Sequence, residues 1–206
     1  DLYAPGRLIV VNKKTYRIGT VAASGPDTEV DRAPALFDQS KVYRHCTQCS
    51  YTAGFISGDD GVTECPQCGA EALQTMTVIR PETVFPSGRK EIDEFEDQVF
   101  SRVTQAQLPL PEEDRKIETK PFGQRGGLVP RRKQRLVVVN EGDPASNEAG
   151  FCICKKCGKV LADGEQEGPH YRDYYIRSTG KPLPLRCDGE FERACLGYGY
   201  TSDVLL

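Results

Sequence analysis

Closely spaced cysteine pairs constrain the fold of this chain more than any other feature of its sequence. Nine of the 206 residues are cysteines, and three CxxC turns lie at residues 46–49, 65–68 and 154–157. Such a turn directs two thiolates at one tetrahedral metal ion, whereas it is a poor framework for structural disulfides. The sequence therefore predicts two structural metal sites, in a chain whose thiols stay reduced in the cytoplasm.

The rest of the composition supplies only a modest hydrophobic core. Hydrophobic residues make up 38% of the chain, Trp is absent, and there are 20 glycines and 14 prolines. Runs of β-branched residues at 8–11 and 15–18 flank a polar turn and predict a hairpin, and residues 136–140 predict another strand. We therefore expect an α+β fold that is β-rich, with short strands held together by two zinc-ribbon-like knuckle sites.

Three segments differ in composition and predict the domain organisation. Residues 1–107 contain the hairpin and a first zinc ribbon with four cysteines, and residues 136–206 contain a second zinc module. Residues 108–135 between them are rich in proline, glycine and charge, and predict a loop or linker. The chain begins without an initiator Met and ends in a predicted strand, so we expect it to be part of a longer polypeptide.

The first cysteine cluster predicts one closed tetrahedral site. Its four ligands are Cys46, Cys49, Cys65 and Cys68. Gly69 permits the positive φ that closes the second turn. Zinc is favoured over a rubredoxin-like iron because no redox partner is visible in the sequence. His45 is interpreted as a neighbour of the site, since four cysteines already complete it, and a closed site lacks the open position of a catalytic metal.

The second cluster leaves its ligand set open. Cys154 and Cys157 form the natural pair because of their spacing and the glycine that follows them. Candidates for the two remaining positions are His170, Cys187, Cys195 and Cys152. The turn-like surroundings of Cys187 favour it as a ligand, and His170 is preferred to Cys195 for the fourth position. Cys195 stays the alternative, and Cys152 is interpreted as a core residue.

Charge restricts the kind of nucleic-acid contact that the chain can make. The net charge is -3, which does not favour a strong, autonomous nucleic-acid binder, so any DNA contact must be local. The best candidates for phosphate contact are Arg125, Arg131, Arg132, Lys133 and Arg135, in a segment predicted to be a loop. A solvated loop without a ligand is the competing interpretation.

Other residues are weaker candidates for DNA contact. Lys155 and Lys156 lie within the second knuckle, where lysines often balance thiolate charge. The aromatic residues Tyr171, Tyr174 and Tyr175 have rings on which an unpaired base could stack, although packing in a small core is the favoured interpretation.

Two sequence features bear on activity and location. The chain contains neither a GxxxxGK[ST] loop nor a DExx box on a strand, so we expect no ATP hydrolysis by it. It has no apolar run of about 18 residues, and we expect neither a signal peptide nor a membrane partner.

Several motifs together resemble the C-terminal region of large bacterial superfamily 2 (DEAD/DEAH-box) DNA helicases, which contains the MrfA-like zinc-binding (MZB) domain. The stretches that carry the resemblance are YAPG at 3–6, VNKKTYRI at 11–18, the first cysteine cluster, VIRPE at 78–82, VNEG at 139–142, the second knuckle and LGYGYTSDVL at 196–205. The second knuckle and the closing stretch are the most specific of these. Residues 136–206 would then form the MZB-like module.

The resemblance implies a ligand set and a role. It favours Cys154, Cys157, His170 and Cys187 as the second set of ligands, and Cys195 is a departure from the family pattern. It implies an accessory zinc domain of an ATP-dependent helicase, as in DNA repair and in anti-phage systems such as DISARM and Druantia. Its partners would be DNA and helicase motor domains in the same or a partner chain.

The functional hypothesis is therefore a non-catalytic, zinc-binding accessory domain that helps a helicase to bind or route DNA. The alternative is a zinc-stabilised module that docks onto another protein of a defence or repair complex.

Overall fold

A computed structural model describes residues 4–25, 31–49, 51–87, 103–104, 120–122, 126–128, 130–143, 146, 148–162, 165–171 and 186–205. Its elements are β1 (Leu8–Val11), β2 (Lys14–Ala22), α1 (Pro34–Asp38), β3 (Lys41–Cys46), β4 (Thr52–Ile56), β5 (Leu73–Ile79), β6 (Thr83–Pro86), β7 (Lys120–Phe122), β8 (Gly126–Leu128), β9 (Pro130–Asn140), β10 (Phe151–Cys154), β11 (His170–Tyr171), β12 (Arg186–Cys187) and β13 (Phe191–Leu205). The β-rich α+β prediction is confirmed.

The strands form two larger sheets and two small ribbons. One sheet has three strands in the order β1-β2-β6, and the other follows the order β10-β13-β5-β3-β4, with β9 also paired to β13. The ribbons are β7-β8 and β11-β12. No helix in the described part of the chain is long and apolar enough to cross a membrane.

The predicted N-terminal hairpin is confirmed, with a tighter turn than expected. Strands β1 and β2 pair from Leu8 opposite Arg17 to Val11 opposite Lys14. Asn12 and Lys13 form the two-residue turn with φ of 52° and 64°, which is the left-handed geometry of a type I′ hairpin turn. The second strand runs on to Ala22, and its last five residues are buried.

Strand β13 connects the second zinc module to the rest of the molecule. Its first residues pair with β10, Cys195 and Leu196 pair in parallel with β5, and the remainder pairs with β9. The strand predicted at 136–140 is confirmed as the second half of β9. The first half of β9, together with β7 and β8, falls inside the predicted linker, so that segment is not wholly irregular.

One hydrophobic cluster is shared by the two predicted zinc modules. Val21, Leu36 and Ile79 from the first module are buried together with core residues of the second, which are Ile153, Val160, Ala194 and Leu196. Backbone hydrogen bonds reinforce this contact, because the amide of Val21 donates to the carbonyl of Gly158 (2.9 Å). The module boundaries stay a prediction, but the described residues on either side of them pack into a common core.

Candidate metal centres

The first cysteine cluster is assembled at one end of the β3-β4-β5 segment. Cys46 is the last residue of β3, Cys49 follows in the next turn, and Cys65 and Cys68 lie in the connection from β4 to β5. The sulfurs of Cys46 and Cys68 are 3.7 Å apart, as are those of Cys49 and Cys65. A tetrahedron with metal–sulfur bonds of about 2.3 Å has edges of about 3.8 Å. The donor set therefore has the dimensions of a zinc site.

All three CxxC turns use the same backbone hydrogen bond. The amide of the first cysteine donates to the carbonyl five residues later, at Tyr51, Ala70 and Lys159 respectively (3.0, 2.8 and 2.8 Å). The amides of Gly69 and Gly158 donate back to the first cysteine of their turns, each at 2.8 Å. Both glycines have positive φ, 71° and 77°, as the sequence predicts for a residue that closes such a turn.

The second cluster combines one CxxC turn with the β11-β12 ribbon. Cys154 ends β10, and His170 on β11 is paired directly with Cys187 on β12. The sulfurs of Cys154 and Cys187 are 3.7 Å apart, and Nε2 of His170 is 3.1 Å from the sulfur of Cys157. The four donor atoms lie within 4.8 Å of one another, as do those of the first cluster. The two donor sets are compatible with two zinc ions.

A second contact orients the imidazole of His170. Its Nδ1 donates to the carbonyl of Gly168 (2.8 Å), so Nε2 carries the free lone pair that a metal ligand needs. The ring also packs against that of Phe191, with centroids 4.9 Å apart. The side chain is thereby held with Nε2 directed at the cysteine sulfurs.

The two remaining cysteines belong to neither cluster. Cys195, the alternative fourth ligand, is buried in a hydrophobic cluster with its sulfur 3.6 Å from that of Met76. Burial raises the pKa of its thiol to about 12. Cys152 differs from the core residue predicted, because it is half-buried and lines a cavity of about 420 Å³. There its thiol lies 3.4 Å from a carboxylate oxygen of Glu167.

The pKa values of the cysteines in the first cluster show how a bound cation would stabilise their thiolates. Burial raises the pKa of Cys65, but backbone amides of Cys68 and Gln67 bring it down to about 7. The backbone amide of Tyr51 lowers the pKa of Cys49, but burial and hydrogen bonds with Cys65 and the other cysteines together raise it to about 12. Ionisation of Cys65 therefore disfavours ionisation of Cys49 beside it. A divalent cation removes that conflict, because metal binding favours the thiolate form of its ligands.

The second cluster shows the same conflict in a more buried setting. A hydrogen bond from the Cys157 thiol lowers the pKa of Cys154 to about 4, with further help from backbone amides. The same bond and burial raise the pKa of Cys157 far above that of an ordinary thiol.

Neighbouring charged residues are engaged in ion pairs. Lys155 and Lys156, the weaker candidates for DNA contact, pair with Glu192 and Asp188 at 2.9 and 3.0 Å. His45 is not among the clustered ligands, and its ring stacks on that of Tyr43 with centroids 5.1 Å apart. It is a neighbour of the first site, as predicted.

Sequence reasoning missed one residue of the second centre. A Cβ on Gly189 would lie 2.7 Å from the sulfur of Cys154 and 3.4 Å from that of Cys187. Only glycine fits there without displacing the sulfurs. Its position two residues after Cys187 resembles the glycines that follow the knuckles at 65–68 and 154–157, and this was the available signal.

The predicted DNA-contacting residues are only partly placed by the structure. Arg125 lies outside the described residues, as do Tyr174 and Tyr175. The other four basic positions, Arg131, Arg132, Lys133 and Arg135, lie on β9 and not in a loop, because the backbone of this segment pairs with the end of β13. Tyr171 is 67% exposed, which contradicts the prediction that it packs in a core.

Comparison with known proteins gives one informative relative. Druantia protein DruE of Escherichia coli (strain UMEA 4076-1) is 34% identical to the chain over 208 residues. That match covers 99% of the chain but only 11% of DruE. No family model and no solved structure matches the chain. The chain is therefore homologous to a small part of a large Druantia protein.

Proposed function

We propose that the chain is a non-catalytic, zinc-binding accessory domain of an ATP-dependent DNA helicase, and that it helps the motor to bind or route DNA. The observation that carries this proposal is the presence of two closed, four-donor clusters in a chain homologous to part of DruE. Four protein donors leave no open position for substrate, so each ion would shape the fold and would not perform chemistry. ATP hydrolysis would belong to motor domains in the same or a partner chain.

Cys46, Cys49, Cys65 and Cys68 would hold one zinc, and Cys154, Cys157, His170 and Cys187 the other. Elemental analysis of the purified chain is expected to give two zinc ions per molecule. Replacing Cys68 or Cys187 by Ser should reduce that number to one. Cys152→Ser and Cys195→Ser are matched controls and should retain both ions, because these thiols lie outside the clusters. Iron in either site, or one ion in the wild-type chain, would overturn the assignment.

The DNA-binding part of the proposal rests on the similarity to a Druantia protein and on a basic segment, which consists of Arg125, Arg131, Arg132, Lys133 and Arg135. The helicases that the chain resembles act in anti-phage systems such as Druantia and in DNA repair. We propose that the chain acts in anti-phage defence, and DNA repair is the alternative. Arg125 and the four basic positions of β9 would contact phosphates. Each contact releases counterions, so binding should weaken linearly with the logarithm of salt concentration.

Fluorescence anisotropy across a salt series tests this part. The variant Arg131→Ala/Arg132→Ala/Lys133→Ala/Arg135→Ala should lose up to roughly 3–4 units of the salt slope, which is the value for four phosphate contacts. A control variant with the same charge change at exposed cations elsewhere carries Lys13→Ala, Lys14→Ala, Lys41→Ala and Arg80→Ala. If both variants weaken binding equally, the basic segment has no special role.

A specific observation supports protein docking as the second candidate function. Val10 and Val11 are 71% and 48% exposed on β1, which lies at the edge of its sheet in the described part of the chain, and an exposed apolar edge is a common protein contact. Val10→Lys/Val11→Lys should then reduce co-purification with the helicase motor and leave DNA affinity unchanged. Loss of DNA affinity in this variant would argue against docking through β1.

A further inference from the structure

The β11-β12 ribbon of the second centre has two different faces. His170 and Cys187, which are paired across the ribbon, both contribute to the metal cluster. The next pair, Tyr171 opposite Arg186, is exposed on both strands. Side chains alternate between the two sides of a strand, so this second pair points away from the metal. The metal ligands therefore hold an exposed tyrosine and arginine in fixed positions.

Both outward side chains are available for a ligand. Tyr171 is 67% exposed, and the other large exposed hydrophobic residues among the described side chains are valines. Arg186 is exposed and makes no ion pair with any described residue, unlike Lys155 and Lys156 nearby in the same centre. Directly opposite residues of an antiparallel pair have Cβ atoms about 5 Å apart. The ring and the guanidinium can thus contact one small ligand together.

An exposed aromatic face beside a guanidinium that pairs with no described residue matches the chemistry of an unpaired nucleotide. The ring of a tyrosine stacks on any base, and a guanidinium forms two parallel hydrogen bonds with the adjoining phosphate. Bases of a duplex are already stacked inside the helix and do not offer a free face. An apolar peptide would need a wider hydrophobic surface, and Tyr171 is the one large apolar side chain that the ribbon exposes.

We propose that Tyr171 and Arg186 form a contact site for single-stranded DNA, in which a base stacks on Tyr171 and Arg186 binds a neighbouring phosphate. The inference rests on the proposed function in DNA handling and adds to it the strand form that is recognised. It also gives the second zinc centre a direct part in binding, because two of its ligands fix the ribbon that carries both contacts.

The test measures the fluorescence anisotropy of a labelled oligothymidylate as it binds to the wild-type 206-residue chain and to four variants of it. Tyr171→Ala should weaken binding roughly 5- to 100-fold with an unchanged salt slope, and Tyr171→Phe should retain it because the ring is kept. Arg186→Ala should reduce the salt slope by about 0.7, the value for one phosphate contact on a single strand. Arg80→Ala, an exposed arginine elsewhere, is the matched control and should bind like the wild type.

A second readout reports stacking itself. An oligonucleotide that contains 2-aminopurine should lose fluorescence on binding to the wild-type chain and to Tyr171→Phe, but not to Tyr171→Ala. Zinc content and the far-UV circular dichroism spectrum establish that each variant is folded. Equal affinity and equal quenching for the wild type and Tyr171→Ala would overturn the inference.

The outcomes separate this inference from the proposed function. A wild-type chain that binds no DNA at low salt contradicts both. A wild-type chain that binds DNA through the basic segment, with Tyr171→Ala unaffected, contradicts only the inference. Loss of a protein partner with Tyr171→Ala, at unchanged DNA affinity, would make the ribbon a protein-docking site and would also overturn it.

Discussion

The two metal centres use the same turn but stand in different surroundings. In the first, Cys46 and Cys65 are buried whereas Cys68 is exposed, and the centre lies at the end of a three-stranded segment. In the second, all three cysteines are buried and the knuckle contacts β2 through hydrogen bonds of Val21 and Val160. One local motif can therefore fasten a peripheral loop or organise a core, and the difference depends on what the rest of the chain places beside it.

Loss of a metal-ligating cysteine should lower stability more than any other substitution. The loss should also be larger in the second centre than in the first. A structural zinc is worth roughly 10–16 kcal/mol in small zinc domains, which exceeds the stability of most domains. Cys154→Ser should abolish the cooperative thermal transition, because its centre adjoins the shared core. Cys68→Ser should release the loop between β4 and β5 and leave a transition at lower temperature.

Differential scanning calorimetry and hydrogen exchange measure this difference. In Cys68→Ser, amides of β10 and β13 should stay protected while those of 57–72 exchange rapidly. A cooperative transition in Cys154→Ser, within a few degrees of the wild type, would show that the second centre does not organise the core.

The two knuckle glycines allow a sharper comparison. A Cβ on Gly158 would lie 1.9 Å from the carbonyl oxygen of Val21, whereas a Cβ on Gly69 meets nothing within 4 Å. Both residues have positive φ, so Ala costs about 1–2 kcal/mol of strain at either position. Gly158→Ala adds the cost of displacing β2, and we expect it to lose at least about 3 kcal/mol in total.

Urea denaturation followed by circular dichroism gives both free energies of unfolding. Equal losses for Gly69→Ala and Gly158→Ala would mean that the contact between the second knuckle and β2 adds nothing to stability. Gly189→Ala extends the test, because its Cβ would displace sulfur ligands and should reduce zinc affinity in the second centre alone.

These comparisons show which parts of the molecule were predictable from sequence. The knuckles were, because a CxxC turn and its glycine are specified within a few neighbouring residues. The hairpin and the strand at 136–140 were also predicted, since turn residues and β-branched runs are local signals. The place of each knuckle in the fold was not, because contacts such as Gly158 with Val21 join residues far apart in the chain.

The secondary structure of the basic segment also depends on a partner that is distant in the sequence. Pro130 and the cations that follow it have the composition of a loop, yet they extend β9 because β13 supplies a long partner strand. Composition alone therefore gave the wrong secondary structure there. For Tyr171, the sequence offered core packing or base stacking, and only the pairing of β11 with β12 places the residue on an exposed face.

Removing an ion-pair cluster near the first centre should change stability least. The buried guanidinium of Arg44 donates to Asp59 (2.9 Å) and Asp60, in the loop that leads to Cys65. The pKa of the Asp60 carboxyl is lowered chiefly by this hydrogen bond. Both carboxylates are well exposed, so solvent screens the attraction. Arg44→Ala should lower the melting temperature by only about 2–4 °C.

Salt dependence identifies the origin of this last effect. The difference in melting temperature between Arg44→Ala and the wild type should shrink in 1 M NaCl, where the Debye length is about 3 Å. The deficit of Gly158→Ala is steric and should persist at the same salt concentration. Lys41→Ala, at an exposed position on the same strand as Arg44, is the control and should leave the melting temperature unchanged. A deficit in Arg44→Ala that ignores salt would mean that packing of the arginine stem, and not its charge, holds the first loop against the sheet.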